Sequence, residues 1–185
     1  MQYPSGHIKK SLLLLYLLTS ATAYANNCQL QLSDTVINYG RVARAEMLEK
    51  QDGPNVSFGK RQMTLTVFCQ KPTEMGLAVR DIKGADKFGF GDRGQLIIQT
   101  SNARLDGNPV NLAPMQTAGG ISPESSATLT IKPGTTVVPV VAGQPVKGQN
   151  FSMQVEVDAK VDEIATRVRA ETTWEGKLSF ELLER

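Results

Sequence analysis

Apolar and polar positions alternate with a period of two along most of the sequence after residue 26. Side chains on a β-strand point to opposite faces in turn, so this period predicts strands with one buried and one solvated face. The clearest run has apolar residues at every second position from Met63 to Cys69, with threonines between them. Similar runs occupy residues 28–32, 75–80, 95–100, 127–131, 151–158 and 174–182. Many short strands separated by turns predict an all-β sandwich.

Three further segments carry local signals. Thr35–Val42 is predicted as another extended piece that bends at Gly40, and Asp106-Gly107 is a strong hairpin-turn dipeptide. Apolar residues at helical spacing between Val161 and Val168 fit either a short helix or a loop between strands.

The N-terminal region has the pattern of a secretory signal peptide. Two lysines at residues 9 and 10 precede the apolar run Leu12–Leu18, and Ala23-Tyr24-Ala25 has the small-x-small pattern of a cleavage site. The run is too short to span a bilayer of about 30 Å, and no later stretch is long enough. We therefore predict a signal peptide at residues 1–25, a mature domain at residues 26–185 and no membrane span.

The two cysteines of the chain, Cys28 and Cys69, both fall on the apolar faces of their predicted strands. An exported protein meets an oxidising environment, where an even number of cysteines favours a disulfide. The sequence therefore predicts a Cys28–Cys69 bridge between neighbouring strands.

Composition gives little support to catalysis, to metal binding or to nucleic-acid binding. The single histidine, His7, lies in the predicted signal peptide, which rules out His-dependent triads and leaves two thiolates as a poor zinc site. Loss of the two lysines would take the formal charge from +2 to about zero, and no basic stripe is present. Gly89–Gly94 is rich in glycine but lacks the Lys-Ser/Thr ending of a phosphate-binding loop. We expect a non-enzyme with no cofactor, no metal and no nucleic-acid partner.

Several weak motifs together resemble the subunits (pilins) of chaperone–usher fimbriae in Gram-negative bacteria. They are Cys28 followed by residues 35–42, the strand Met63–Cys69, the segment Gln99–Leu112, and the last two strands at 151–157 and 175–182. The resemblance implies an immunoglobulin-like β-sandwich that lacks its final strand. A periplasmic chaperone, and later a neighbouring fimbrial subunit, would fill the gap by strand addition.

The resemblance also implies binding partners and identifies the strand edge to which they would bind. The expected partners are the periplasmic chaperone, the outer-membrane usher and a neighbouring subunit, with a host or surface receptor as a further candidate. The C-terminal strand would border the gap, which makes Leu178, Phe180 and Leu182 the predicted row facing the chaperone or donor strand. An alternative interpretation is that these three residues belong to the ordinary core, since core residues of a strand alternate in the same way. The chain would pass through the periplasm and end in a fimbrium on the cell surface.

Two features depart from the family pattern. Pilins typically carry an aromatic residue next to last, where this chain has Glu184. Shaft pilins also have a donor segment before the first cysteine, but cleavage after Ala25 would leave only Asn26 and Asn27. The chain is therefore predicted to accept a strand without giving one, as a tip or minor subunit does.

Two other functions fit the same sequence. A self-contained periplasmic binding or regulatory sandwich would close its own fold and never polymerise. A carboxylate-based glycosidase would need two Asp or Glu side chains to meet in a cleft.

Overall fold

The computed structural model describes residues 27–81, 86–115 and 120–185. The predicted signal peptide lies outside these residues. Strands take up 61% of the structure and helices 7%, which confirms the prediction of an all-β fold.

Long strands are joined by short turns and by two helical segments. The strands are β1 (Cys28–Leu32), β2 (Gln51–Asp52), β3 (Asn55–Asp81), β4 (Phe88–Phe90), β5 (Gly94–Leu105), β6 (Asn108–Pro109), β7 (Asn111–Pro114), β8 (Leu129–Ile131), β9 (Thr136–Val141), β10 (Gln144–Pro145), β11 (Lys147–Asp162) and β12 (Leu178–Glu184). The helical segments are α1 (Arg44–Glu49) and a 3₁₀ turn (Glu163–Thr166).

The strand β3 belongs to both sheets of the molecule. Its first part, residues 55–74, pairs with β11 and with β1 and β2, and β11 continues the sheet to β5. Its last part, residues 75–81, pairs with β12 and, at residues 77 and 78, with β9, which in turn pairs with β7. All of these pairings are antiparallel. Because the two parts of β3 pair with different strands, the two sheets are continuous through β3.

The core lies between these two sheets. Leu65 of the first sheet and Met75 and Leu77 of the second are fully buried in the same cluster as Phe151 and Val155 of β11. The alternation in the sequence matches this pattern at residues 63–69 of β3 and 151–157 of β11, where apolar residues are buried at every second position, whereas residues 75–79 of β3 are buried on both faces.

The predicted hairpin turn is confirmed. Leu105 pairs with Asn108 across the turn, and Asp106 and Gly107 have φ angles of +49° and +81°. Two successive positive φ angles are those of a type I′ turn, which Asp-Gly favours.

Two strand predictions were wrong in their extent. Residues 35–42 have no regular secondary structure and pair with no strand among the described residues. The chain leaves the sheet after the hydrogen bond from the Ser33 N–H to the Thr64 carbonyl. The last strand begins at Leu178 rather than at Trp174. The side chain of Trp174 packs on Phe58 of β3, but residue 174 itself is not part of a strand, so the alternation there reflects docking of a loop.

The open question at residues 161–168 has an intermediate answer. Val161 is buried and is the second-last residue of β11. The chain then makes a single 3₁₀ turn over Glu163–Thr166. The helical spacing in the sequence therefore spans the end of a strand and one tight turn.

A disulfide joins β1 to β3. Cys28 and Cys69 are directly opposite in the pairing of the two strands, with an S–S distance of 2.03 Å and a Cα–Cα distance of 4.0 Å. Both residues are buried. Because β1 has only five residues and a single partner strand among the described elements, the covalent link holds it in place.

We predict that replacing both Cys28 and Cys69 with serine destabilises the mature protein. The disulfide closes a loop with a sequence separation of 41. The chain-entropy model gives about 4 kcal/mol for a loop of this size. Urea unfolding followed by circular dichroism should show a loss of about 2–4 kcal/mol. Unchanged stability of the double variant would contradict this role.

Candidate functional site: the groove between β1 and β12

The first and last strands flank a groove. Both β1 and β12 pair with β3, on its residues 65–69 and 75–81 respectively, and neither pairs with another strand among the described residues. Each therefore has one backbone edge without a ladder partner in this part of the chain. Unpaired edges of this kind are the sites at which another strand can add to a sheet.

One end of the groove is closed by contacts between the two strands. The backbone N–H of Cys28 donates to a carboxylate oxygen of Glu184 at 3.2 Å. Beside it, Arg185 and Glu74 exchange backbone hydrogen bonds of 2.9 and 3.3 Å. Glu184 thus ties the end of β12 to the start of β1.

Away from this end the walls separate and enclose a volume of about 1090 Å³. One wall is β1 with the unpaired segment 34–42 that follows it. The opposite wall is segment 171–177 with the start of β12. Both segments lack regular secondary structure.

The lining is largely apolar and only half covered. Leu30 and Leu32 of β1 and Leu178 and Phe180 of β12 line the groove and are half-buried. The inward-facing residues of β11, from Phe151 to Val157, are by contrast almost completely buried. The same inward face is therefore closed over β11 and open beside β12, where no strand of the described residues covers it.

An aromatic cluster forms the floor at the wide end. Phe58 packs edge-on against Tyr39, Phe90 and Trp174, with ring centroids 5.9, 5.2 and 5.3 Å away. The Tyr39 hydroxyl donates to the Val157 carbonyl at 3.3 Å. Burial raises the pKa of this hydroxyl, and the nearby Asp158 carboxylate raises it further. The tyrosine is therefore a neutral hydrogen-bond donor that fixes segment 34–42 to the core.

Segment 171–177 docks on the turn that contains Gly91, through the side chain of Trp174. Gly91 has a φ of +58°, and its N–H donates to the Glu175 carbonyl at 2.8 Å. A Cβ atom at Gly91 would lie 2.3 Å from the Trp174 ring. The glycine-rich stretch 89–94, which superficially resembles a phosphate loop, is thus the turn from β4 to β5 that receives this indole.

Ion pairs lie at and next to the walls, and three of their members, Arg41, Arg44 and Glu171, line the groove. Arg41 and Glu171 form an exposed ion pair of 3.1 Å between the two walls. Glu163 pairs with Arg44 and with Arg167. The hydrogen bond from Arg167, with a smaller contribution from Arg44, holds the pKa of the Glu163 carboxyl below its usual value.

The sequence-predicted edge residues divide into two groups. Leu178 and Phe180 line the groove, whereas Leu182 packs against the core without lining it. Sequence reasoning missed the walls formed by residues 34–42 and 171–177. Their alternation is that of strands, and only their lack of ladder partners shows that they border a groove.

Residues 27–81, 86–115 and 120–185 offer neither a cluster of metal ligands nor a membrane-spanning helix. This part of the chain contains no group of three or more His, Cys, Asp or Glu side chains placed to hold a metal ion. Nor does it contain a helix of the length and apolar character needed to cross a membrane.

A family model matches residues 18–131, which is more than half of the chain. The protein belongs to the DUF1120 family. Its description is "protein of unknown function". The matched residues of this DUF1120 chain include β1, β3 and segment 34–42, and the match ends before β12.

Among solved structures, this DUF1120 chain is similar to the P pilus rod subunit PapA. The TM-score with its crystal structure is 0.43 and the sequence identity is 11%. The alignment covers 86% of this chain and 99% of that one. No curated protein matches the sequence.

We predict that Gly91→Ala loosens the Trp174 wall. The new methyl group would overlap the indole and would also occupy a backbone conformation unfavourable for alanine. Gly143→Ala is the matched control, since Gly143 has a φ of +77° with nothing within 4 Å of a Cβ. Trp174 is the chain's single tryptophan, so its fluorescence reports on the wall directly.

The control should cost about 1 kcal/mol from backbone strain alone. Gly91→Ala should cost about 1–2 kcal/mol more and should shift the tryptophan emission to longer wavelength, which Gly143→Ala should not do. Equal effects of the two variants on stability and emission would show that Trp174 is not docked on Gly91.

Proposed function

We propose that this chain is a non-catalytic subunit of a chaperone–usher fimbria and that its groove accepts a β-strand from another polypeptide. The observation that carries the proposal is the half-covered apolar groove between two strands whose outer edges have no ladder partner among the described residues. The resemblance of the sequence to pilins points in the same direction.

The groove has the two features that strand addition requires. The seven residues of β12 offer an edge of about 23 Å at about 3.3 Å per residue. Leu178 and Phe180, two positions apart on one face, would contact alternate side chains of the added strand. Backbone hydrogen bonds along the edge would provide the affinity. The contacts of alternate side chains with Leu178 and Phe180 would fix the register of the added strand.

The partners follow from this role. A periplasmic chaperone would cover the groove after export, and a neighbouring subunit would replace it at the outer-membrane usher. The protein would then reside in a fimbrium on the cell surface, with a structural or adhesive role. Without an added strand, the apolar groove would remain in water and favour association.

We further propose that the chain accepts a strand but does not donate one. The Asn27 side chain donates to the Thr73 hydroxyl at 2.6 Å, and the Asn27 carbonyl accepts from the Gln70 N–H at 2.9 Å. The disulfide holds the next residue, Cys28, to the same domain. With cleavage after Ala25, no free segment would precede these contacts, which suits a tip or minor position.

We predict that Phe180→Asp weakens chaperone binding more than Leu183→Asp does. Phe180 lines the groove, whereas Leu183 lies on the opposite face of the same strand, near Gly76. The exported full chain, carrying an affinity tag, would be co-expressed with a periplasmic fimbrial chaperone and purified through the tag. Chaperone recovery should fall about tenfold or more for Phe180→Asp, since burying a charge in an apolar site is costly.

Hydrogen exchange provides the matching measurement on the wild-type chain. Backbone amides of β12 that face the groove should exchange quickly in the isolated chain and slowly in the chaperone complex. A stable monomer without chaperone, with these amides already protected, would refute the proposal and favour a self-contained periplasmic protein.

We predict that the N-terminus of this subunit does not act as a donor. Mass spectrometry of the mature protein should find Asn26 as its first residue. In a strand-exchange assay, the chaperone complex of this chain should accept donor peptides from shaft subunits, while a peptide of residues 26–32 should displace no chaperone from other subunits. A mature start well upstream of Asn26, or successful donation, would end the acceptor-only hypothesis.

A further inference from the structure

Charge is segregated along the outer face of the sheet formed by β1, β3, β11 and β5. At one end, Lys60 pairs with Glu156 at 2.8 Å, and Lys160 lies 3.7 Å from Asp158. These charges largely compensate one another. The other end of the same face carries uncharged side chains on three adjacent strands.

The uncharged end consists of cross-strand rows of amides and hydroxyls. The register of β1, β3 and β11 places Gln29, Phe68 and Asn150 in one row and Gln31, Thr66 and Ser152 in the next, followed by the pair Thr64 and Gln154. We call these eight residues the Phe68 face. Arg104 of β5 lies opposite Ser152, but its guanidinium donates to the Gly107 carbonyl at 2.9 Å, in the adjacent hairpin.

Phe68 is the unusual member of this face. Its side chain is 55% exposed, whereas every other aromatic residue in the described part of the chain is buried or half-buried. Strands flank it on both sides, and its neighbours Val67 and Cys69 point into the core. The ring therefore contributes nothing to the core and is exposed to solvent among polar groups.

Several polar groups around the ring are available to a ligand. Within the described residues, the side chains of Gln29, Gln31, Thr64 and Ser152 make no hydrogen bond. Asn150 and Gln154 are held in place by contacts with Asp106 and Asn102. The Phe68 face thus combines free amide and hydroxyl groups with others of fixed orientation.

We propose that the Phe68 face binds a neutral saccharide. A sugar ring has one apolar C–H face, which would stack on Phe68, and hydroxyls that both donate and accept hydrogen bonds, which suits side-chain amides. None of the eight side chains is charged, and the adjacent cation, Arg104 beside Ser152, donates to the Gly107 carbonyl, whereas a phosphate or an acidic polymer is bound through several cations. This site is separate from the groove, since no residue of the Phe68 face lines it.

The test uses the exported, purified protein and neutral tetrasaccharides as probes. Cellotetraose, maltotetraose, mannotetraose and N,N′,N″,N‴-tetraacetylchitotetraose would be titrated separately, with tetragalacturonate as the charged comparison. Saturation-transfer NMR would detect binding, and amide shifts would locate it. At least one neutral probe should bind and shift the amides of Gln29, Phe68 and Asn150, and tetragalacturonate should bind more weakly.

Variants separate stacking from general surface effects. Phe68→Ala should weaken the bound tetrasaccharide about five- to tenfold, and Phe68→Tyr, which keeps the ring, should change it less than about twofold. Val141→Ala, which shortens another exposed apolar side chain on β9, should have no effect. Because Phe68 is exposed, these variants should keep the stability of the wild type.

Three results would overturn the proposal. They are binding of none of the neutral probes, binding that Phe68→Ala leaves unchanged, and equal or tighter binding of tetragalacturonate. Capture of a second protein by a photo-crosslinker at position 68 in assembled material would show instead that this face is a protein interface. None of these results bears on whether the groove accepts a strand.

Discussion

Backbone pairing along β3 is the constraint on which the rest of the structure depends. This one strand of 27 residues pairs with β1, β2 and β11 over its first part and with β9 and β12 over its last. A strand that passes from one sheet into the other fixes the separation of the sheets, and so the thickness of the core. It also positions the first and last strands along different parts of β3, at residues 65–69 and 75–81. The two strands are in contact near Cys28 and Glu184 and diverge beyond this point.

The groove is a consequence of that divergence. Side chains such as Phe180 are directed inward by the alternation of β12, but no strand among the described elements covers them. At about 25 cal/mol per Å² of apolar surface, a covering strand would stabilise the fold appreciably. Tyr39 from one wall and Trp174 from the other both pack on Phe58, which fixes the two walls against the core. A preformed groove reduces the ordering cost of binding.

The groove and the Phe68 face differ in chemistry because they lie on opposite sides of the same sheet. Residues of β3 alternate between the buried core and solvent, so Val67 and Phe68 are adjacent in sequence yet serve different environments. The core side offers apolar contacts and backbone edges, which suit a polypeptide strand. The outer side offers amides, hydroxyls and one ring. The two surfaces are therefore suited to different kinds of ligand.

The sequence alone determined the elements whose signal is local. The period of two located β3, β11 and the buried positions within them, and Asp106-Gly107 specified its turn because few other dipeptides accept two positive φ angles. The parity of Cys28 and Cys69 was enough to predict their pairing, which the structure contains. Tertiary structure alone decided that β3 continues through both sheets, that residues 35–42 leave the sheet and that Trp174 docks on Gly91. Alternation records which side of a strand is buried, but the partner on its edge is chosen by residues far away in sequence, so the walls of the groove could not be read from it.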